Sequence, residues 1–202
     1  MDHKSTYGNL VFYINDSVYE PAEDSFLLAK QVHALRGRVL DVGTGSGIQA
    51  IVNAKANPKN EVTGIDINPR AVECAIQNAK ANRITNATFI VSDLFENVTG
   101  RFDGIIFNPP YLPGIKTRDL KHKTTELALS GGRTGRELTD RFIRQFPEYL
   151  NAGGTVLLLQ SSINNHETTK KILARKGFNS ELLGQESFFL EKLYILKIRK
   201  EK

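Results

Sequence analysis

From residue 38 onward, short apolar runs alternate with segments of helical periodicity, and this alternation leaves the chain few architectures to choose from. Strand candidates lie near 38–43, 61–67, 87–92, 102–107 and 153–160, and helix candidates near 47–57, 69–82, 135–150 and 165–176. That rhythm predicts an α/β fold, a mostly parallel sheet with helices on both faces. Two further runs, roughly 179–187 and 190–199, follow each other with no helix between them, so they must pair antiparallel as a C-terminal hairpin. At 202 residues there is room for one such domain, expected to span 1–202.

The first strand runs into the most informative turn. Val39-Leu40-Asp41-Val42 leads directly into Gly43-Thr44-Gly45-Ser46-Gly47 and a helix from Ile48. Glycines at a strand-to-helix turn supply positive φ angles and let backbone approach a ligand, while the helix N-terminus adds unpaired N–H groups. A cofactor is therefore expected here. A dinucleotide fingerprint needs its third glycine at position 48, which is Ile48, and a Walker A lysine is absent from Ser46-Gly47-Ile48-Gln49. The GxGxG turn with Asp41 two residues ahead fits S-adenosylmethionine, with the Asp41 carboxylate near the cationic methionine end and the tight glycines against the ribose.

Two more acids stand at strand ends. Asp66, followed by Ile67, closes the run from Glu61 and is placed to accept from ribose hydroxyls. Asp93, followed by Leu94, closes the run 87–92 and could receive the exocyclic amine of adenine. Helix capping is the alternative for either aspartate taken alone, but together with the glycine turn and Asn108 they form a ligand-binding constellation. For the helix after Asp66, however, Asn68 and Pro69 already supply an N-cap and a first-turn proline.

The run Phe102 to Phe107 stops on Asn108-Pro109-Pro110-Tyr111. Neither proline can donate to a ladder, so the strand ends with an asparagine amide and free carbonyls turned outward as a rigid acceptor surface. Such a surface suits a planar NH₂ donor, with Tyr111 available to stack on it. Ahead of the first strand, Val18-Tyr19-Glu20-Pro21-Ala22-Glu23-Asp24-Ser25 opens a helix ending near Arg36. Acids in its first turn suit the helix dipole, and capping alone explains them. The stretch from Glu20 to Ser25 could also cross the mouth of the pocket.

Between Tyr111 and the helix near Gly135 lies a long segment rich in Lys, Arg, Thr and Gly, a length that in compact domains marks lids or binding loops. Lys116, Arg118, Lys121, His122 and Lys123 are placed to steer a polar or anionic substrate surface; a basic loop without specific contacts is the alternative. The net charge of +5 permits a polyanionic partner or simply a lysine-rich surface, with the charges of Lys192 to Lys202 guarding an edge strand. Cys74 is the lone cysteine, consistent with a reducing cytoplasm, and reads as a packing residue. His3, His33, His122 and His166 show no metal-binding spacing, the N-terminus lacks a signal-peptide core, and no apolar run spans a bilayer.

With these motifs in place, the chain resembles the HemK-type class I S-adenosylmethionine-dependent methyltransferases. VYEPAEDS at 18–25, the segment Ser130-Gly131-Gly132-Arg133-Thr134-Gly135-Arg136-Glu137, and the lack of an extra N-terminal helical domain match the short archaeal and eukaryotic branch, which methylates the glutamine of the Gly-Gly-Gln motif in class 1 release factors. The resemblance implies a seven-stranded Rossmann-like methyltransferase sheet and cytoplasmic work on a release factor. It implies that Asn108, the Pro109 carbonyl and Tyr111 hold the substrate. The cofactor set it implies is Glu20, Ser25, Asp41, Gly43, Thr44, Gly45, Asp66, Ile67, Asp93, Leu94 and Asn108. Eukaryotic relatives pair with a small zinc-binding activator along the sheet edge near the third strand, and Ala87 to Val91 offers such an edge. The NPPY motif is shared with adenine-N6 methyltransferases, so a nucleic-acid substrate is the alternative.

Overall fold

A computed structural model describes residues 3–114, 130–188 and 191–201. Its centre is a seven-stranded sheet of β3 (Arg38–Val42), β4 (Glu61–Asp66), β5 (Ala87–Val91), β6 (Phe102–Phe107), β7 (Leu150–Ser161), β8 (Phe178–Ser187) and β9 (Lys192–Lys200). The order across the sheet is β5-β4-β3-β6-β7-β9-β8. Pairs among the first five are parallel, and β9 runs antiparallel to both β7 and β8. The expected Rossmann-like sheet and C-terminal hairpin are both present. β9 is interior, however, and β8 is the edge, so the charges of Lys192 to Lys200 do not protect an edge strand. Apolar residues explain the placement: Leu193, Ile195, Leu196 and Ile198 are all buried, which requires cover on both faces and neighbours on both sides.

Side chains along the strands alternate between two cores, as the period of two demands. Val39, Val62, Ile106, Leu157 and Ile195 pack toward α1 (Glu23–Val32), α2 (Ile48–Ala56) and α3 (Pro69–Ala81). Leu40, Ile65, Ile105, Phe107 and Leu158 pack on the other face under α4 (Glu137–Tyr149) and α5 (His166–Arg175). On that second face an aromatic series runs from Phe107 to Phe142 (4.6 Å between ring centroids), Phe146 (5.3 Å) and Phe178 (5.0 Å), tying β6 to β8 through α4. α3 starts as expected, with Asn68 Oδ1 accepting from Arg70 N and Pro69 at the first position.

An N-terminal hairpin of β1 (His3–Tyr7) and β2 (Leu10–Ile14) was not foreseen from sequence. β1 is polar and mostly exposed, so it carries no strand signal of its own. The hairpin is held by side chains in place of a neighbouring strand: Asn78 of α3 and Asn82, which caps its C-terminus, bond the backbone of Tyr13 and Val11, each through both donor and acceptor. Asn78 Nδ2 also reaches Ser46 O at 2.9 Å, which links the hairpin to the glycine turn.

The crossover that leaves β3 leads to β4 and the one that leaves β6 leads to β7 on the opposite side, so a crevice opens between β3 and β6 at the C-terminal strand ends. Asp41, Asp66, Asp93 and Asn108 all lie at or just beyond that edge. Among the described residues no helix is long and apolar enough to cross a membrane.

Gly64 sets how closely the glycine turn lies on β4. A Cβ there meets Phe89 Cδ1 at 2.5 Å and Thr44 Oγ1 at 2.7 Å. Gly64→Ala should therefore cost about 1–3 kcal/mol in denaturant unfolding and displace Thr44.

Candidate active site

Gly43, Gly45 and Gly47 all hold positive φ, 63°, 54° and 85°, so the backbone from β3 to α2 follows a path that side-chain-bearing residues rarely take. At Gly47 an added Cβ would also crowd Ala75 at 3.0 Å, where α2 meets α3. The turn is fixed from β4 and from β3 itself. Thr44 N donates to Ile65 O (2.8 Å), Thr44 Oγ1 to Asp41 Oδ2 (2.6 Å), and Gly45 N to Asp66 Oδ2 (2.9 Å).

These bonds revise the roles of the two acids, since each carboxylate spends one oxygen on the turn itself. Asp41 also accepts from Ala50 N in the first turn of α2, is 1% exposed, and is pushed by burial up to about 7, with the Thr44 and Ala50 bonds opposing the shift. Asp66 accepts from Asn68 N as well, and burial raises its pKa too. Both still line a cavity of about 400 Å³ that opens along the strand ends.

The far wall of the cavity is apolar. Ile67, 57% exposed, stands beside Asp66, and buried Leu94 follows Asp93 with φ +49°, a conformation that costs a non-glycine residue on the order of 1–2 kcal/mol. Ser92 Oγ holds this corner by donating to Leu94 O (2.7 Å) and accepting from Asn97 N (3.0 Å). Asp93 is no helix cap; its Oδ2 pairs with Arg141 Nη2 of α4 at 3.0 Å. Arg141 lines the cavity and was missed in the sequence, where nothing separates it from the other surface arginines of an amphipathic helix.

At the end of β6, Asn108 Nδ2 donates to Asp24 Oδ2 at 2.9 Å, while Asn108 Oδ1 is buried without a partner. Asp24, also missed as more than a helix-start acid, is 5% exposed; its Oδ1 accepts from Ser25 N (2.6 Å), Ser25 Oγ (3.2 Å) and Tyr19 Oη (3.2 Å). Tyr19 and Tyr111 are both held above the usual phenol range by burial first and by the charge of Asp24 next, so both stay neutral. Pro109 and Tyr111 line the same cavity, but the Tyr111 carbonyl is occupied by Asn164 Nδ2 at 2.9 Å. Ser25 lies inside, 3% exposed, and its carbonyl accepts from Gln49 Nε2 (2.9 Å), whose own Oε1 is buried and unpartnered.

Glu20 is exposed and outside the lining, whereas Tyr19 and Pro21 on either side line the cavity. The glycine-rich segment 130–135 folds back on the NPPY turn: Gly131 N donates to Leu112 O (3.0 Å) and Gly114 N to Gly132 O (2.9 Å). A side chain at Gly131 would strike Gly135 O at 2.5 Å. Lys116, Arg118, Lys121, His122 and Lys123 lie outside the described residues.

Residues 20–190 match the family model for the methyltransferase small domain. Over 184 residues the chain is 44% identical to a Methanocaldococcus jannaschii protein provisionally assigned as a protein N5-glutamine methyltransferase, covering 91% of this chain and 92% of the relative. The human methyltransferase HEMK2 is 33% identical over 193 residues, covering 91% and 90%. The chain belongs to the HemK2-type methyltransferases. Among solved structures, it is similar to the E. cuniculi Mtq2–Trm112 complex responsible for methylation of the eRF1 translation termination factor, with a TM-score of 0.70, 28% identity, and 92% and 99% of the two chains covered.

Asp41 gives this HemK2-type chain a pH signature. Its folded pKa is raised, so folding favours its protonated form; that contribution is complete below about pH 4 and is lost as pH rises to about 7. Urea unfolding across this range should show wild type losing up to about 4 kcal/mol relative to Asp41→Asn.

Proposed function

We propose that this chain is an S-adenosylmethionine-dependent N-methyltransferase acting on a glutamine side-chain amide, that of the Gly-Gly-Gln motif in a class 1 release factor. The observation that carries the reading is the buried, unpartnered Asn108 Oδ1 beside Pro109 at the cavity wall. An unsatisfied buried acceptor is costly unless a ligand completes it, and a planar NH₂ is the group that Asn108 Oδ1 and the Pro109 carbonyl could receive together. The names of the M. jannaschii and E. cuniculi relatives support glutamine as that group and a termination factor as its carrier.

The residues around the cavity fit S-adenosylmethionine. Asp41 and Gln49 Oε1 offer buried acceptors for the cationic methionine end, Asp66 for the ribose, and Ile67 and Leu94 flat apolar contact for adenine, with Asp93 beside them. When bound, the cofactor supplies an electrophilic methyl on a sulfonium. Asp41 is the natural counter-charge, since a cation beside a buried acid favours its ionised form.

A glutamine amide nitrogen is a poor nucleophile because its lone pair is delocalised into the carbonyl. Asn108 Oδ1 and the Pro109 carbonyl would take both N–H bonds, turn the lone pair toward the methyl and stabilise positive charge as it develops on nitrogen. Tyr19 and Tyr111 remain neutral and serve to shape and exclude water rather than to abstract the proton. Proton loss follows transfer.

Radiolabelled S-adenosylmethionine offered to a release factor, its Gln-to-Ala variant, DNA and RNA tests the substrate. Only the intact release factor should be labelled, and Asn108→Ala should reduce labelling by about 10²–10³-fold. Labelled nucleic acid with unlabelled release factor would make the adenine-N6 reading correct.

A partner strand fits at β5. This strand is a sheet edge, and Ile90 (36%) and Val91 (42%) leave apolar surface exposed there. A small zinc-binding activator, by likeness to the Mtq2–Trm112 pair, is the partner we assign to it. Ile90→Lys should weaken co-purification with such a partner at least tenfold without changing cofactor affinity, as titration calorimetry would show.

A further inference from the structure

We propose that Asp24 is a positioning residue for methyl transfer, fixing which edge of the Asn108 amide faces the substrate; this rests on the acceptor reading of Asn108. The two edges of an asparagine amide have nearly the same shape and opposite chemistry. Turned by 180°, Asn108 would present an NH₂ to a substrate NH₂, and two donors would meet with no acceptor between them. Nothing in the NPPY turn itself selects the productive edge.

Asp24 does. Its carboxylate can only accept, so Asn108 Nδ2 must face it, at 2.9 Å, and Oδ1 must face away. The acid is in turn immobilised: Tyr19 Oη, Ser25 N and Ser25 Oγ all converge on Oδ1, which leaves Oδ2 for Asn108. At 5% exposure little water competes for it, so the bond is charge-assisted and directional. The same carboxylate polarises the amide, drawing electron density onto Oδ1 and making it a stronger acceptor as the substrate nitrogen becomes cationic. Asp24 thus acts through Asn108 and need not touch the substrate.

This also accounts for an oddity in the sequence. Asp24 sits in the first turn of α1, where an acid is ordinarily explained by the helix dipole, yet Ala22 precedes the helix with no side-chain cap and Asp24 is turned 84 residues along the chain to Asn108. A purely structural role would make Asp24 important for stability and indifferent to whether Asn108 is present.

The test combines kinetics with a spectrum. Wild type, Asp24→Asn, Asn108→Ala and the double variant are compared for kcat and KM on the release factor and for S-adenosylmethionine affinity. Asp24→Asn should lower kcat about 10- to 100-fold with cofactor affinity within about twofold, and should add less than about twofold in the Asn108→Ala background. In a ¹⁵N–¹H correlation spectrum of the wild-type protein, which needs no methyl acceptor and no variant, one Asn108 δ-amide proton should lie downfield and exchange slowly. Two δ protons at the positions of a solvated asparagine would overturn the proposal. So would equal losses from Asp24→Asn with and without Asn108, or a loss confined to cofactor affinity or thermal stability. Full activity of Asn108→Ala by itself would instead show that the acceptor reading has failed, and Asp24's role would fall with it.

Discussion

A carboxylate buried behind an amide fixes which polar edge of Asn108 is turned away from it. Asn108 closes β6 with one polar edge tied to Asp24 and the other buried and unmatched. Buried acceptors without partners are rare in folded proteins, and one held in place by a charge-assisted bond on its opposite edge cannot relieve itself by turning over. The rest of the molecule serves to keep this corner dry and still. β3 and β7 flank β6 and fix its end, α1 brings Asp24 beneath it, and the Gly131–Gly135 segment locks the NPPY backbone from the far side.

The opposite half of the cavity follows a different logic. There the chain accepts local cost to hold a backbone shape: three glycines with positive φ, a leucine in the left-handed region, and a buried acid raised well above its usual pKa. Asp41 and Asp66 brace the glycine turn while bordering the ligand space, so each contributes to fold and site at once. On the proposed reading, a cationic cofactor beside this turn would offset the desolvation cost that burial places on Asp41.

Much of this could be read directly from the chain. The parallel strands, their helices and the C-terminal hairpin follow from hydrophobic period and connection length, which are local properties. The glycine turn and the strand-end acids were legible for the same reason: each motif stands next to the strand that places it. Three things were not. The β1–β2 hairpin is polar on its outer strand and held by asparagines from a helix some 70 residues away, so no periodicity announces it. The pairing of Arg141 with Asp93 and of Asp24 with Asn108 joins residues that are ordinary in their own neighbourhoods. That Tyr19 and Pro21 line the cavity and Glu20 between them does not was equally hidden, since which side of a segment faces a pocket depends on what packs beneath it.

By itself, then, the sequence determined the elements, their winding and the chemical character of the cavity's edges, because propensity, turn geometry and strand termini are written in consecutive residues. Tertiary structure alone decided the interior position of β9, the clamp of segment 130–135 on the NPPY turn, and the orientation of the Asn108 amide. The physical reason is common to all three. Each depends on a group satisfying its hydrogen bonds or burying its surface against a partner distant in the chain, and that choice exists only once the sheet has formed.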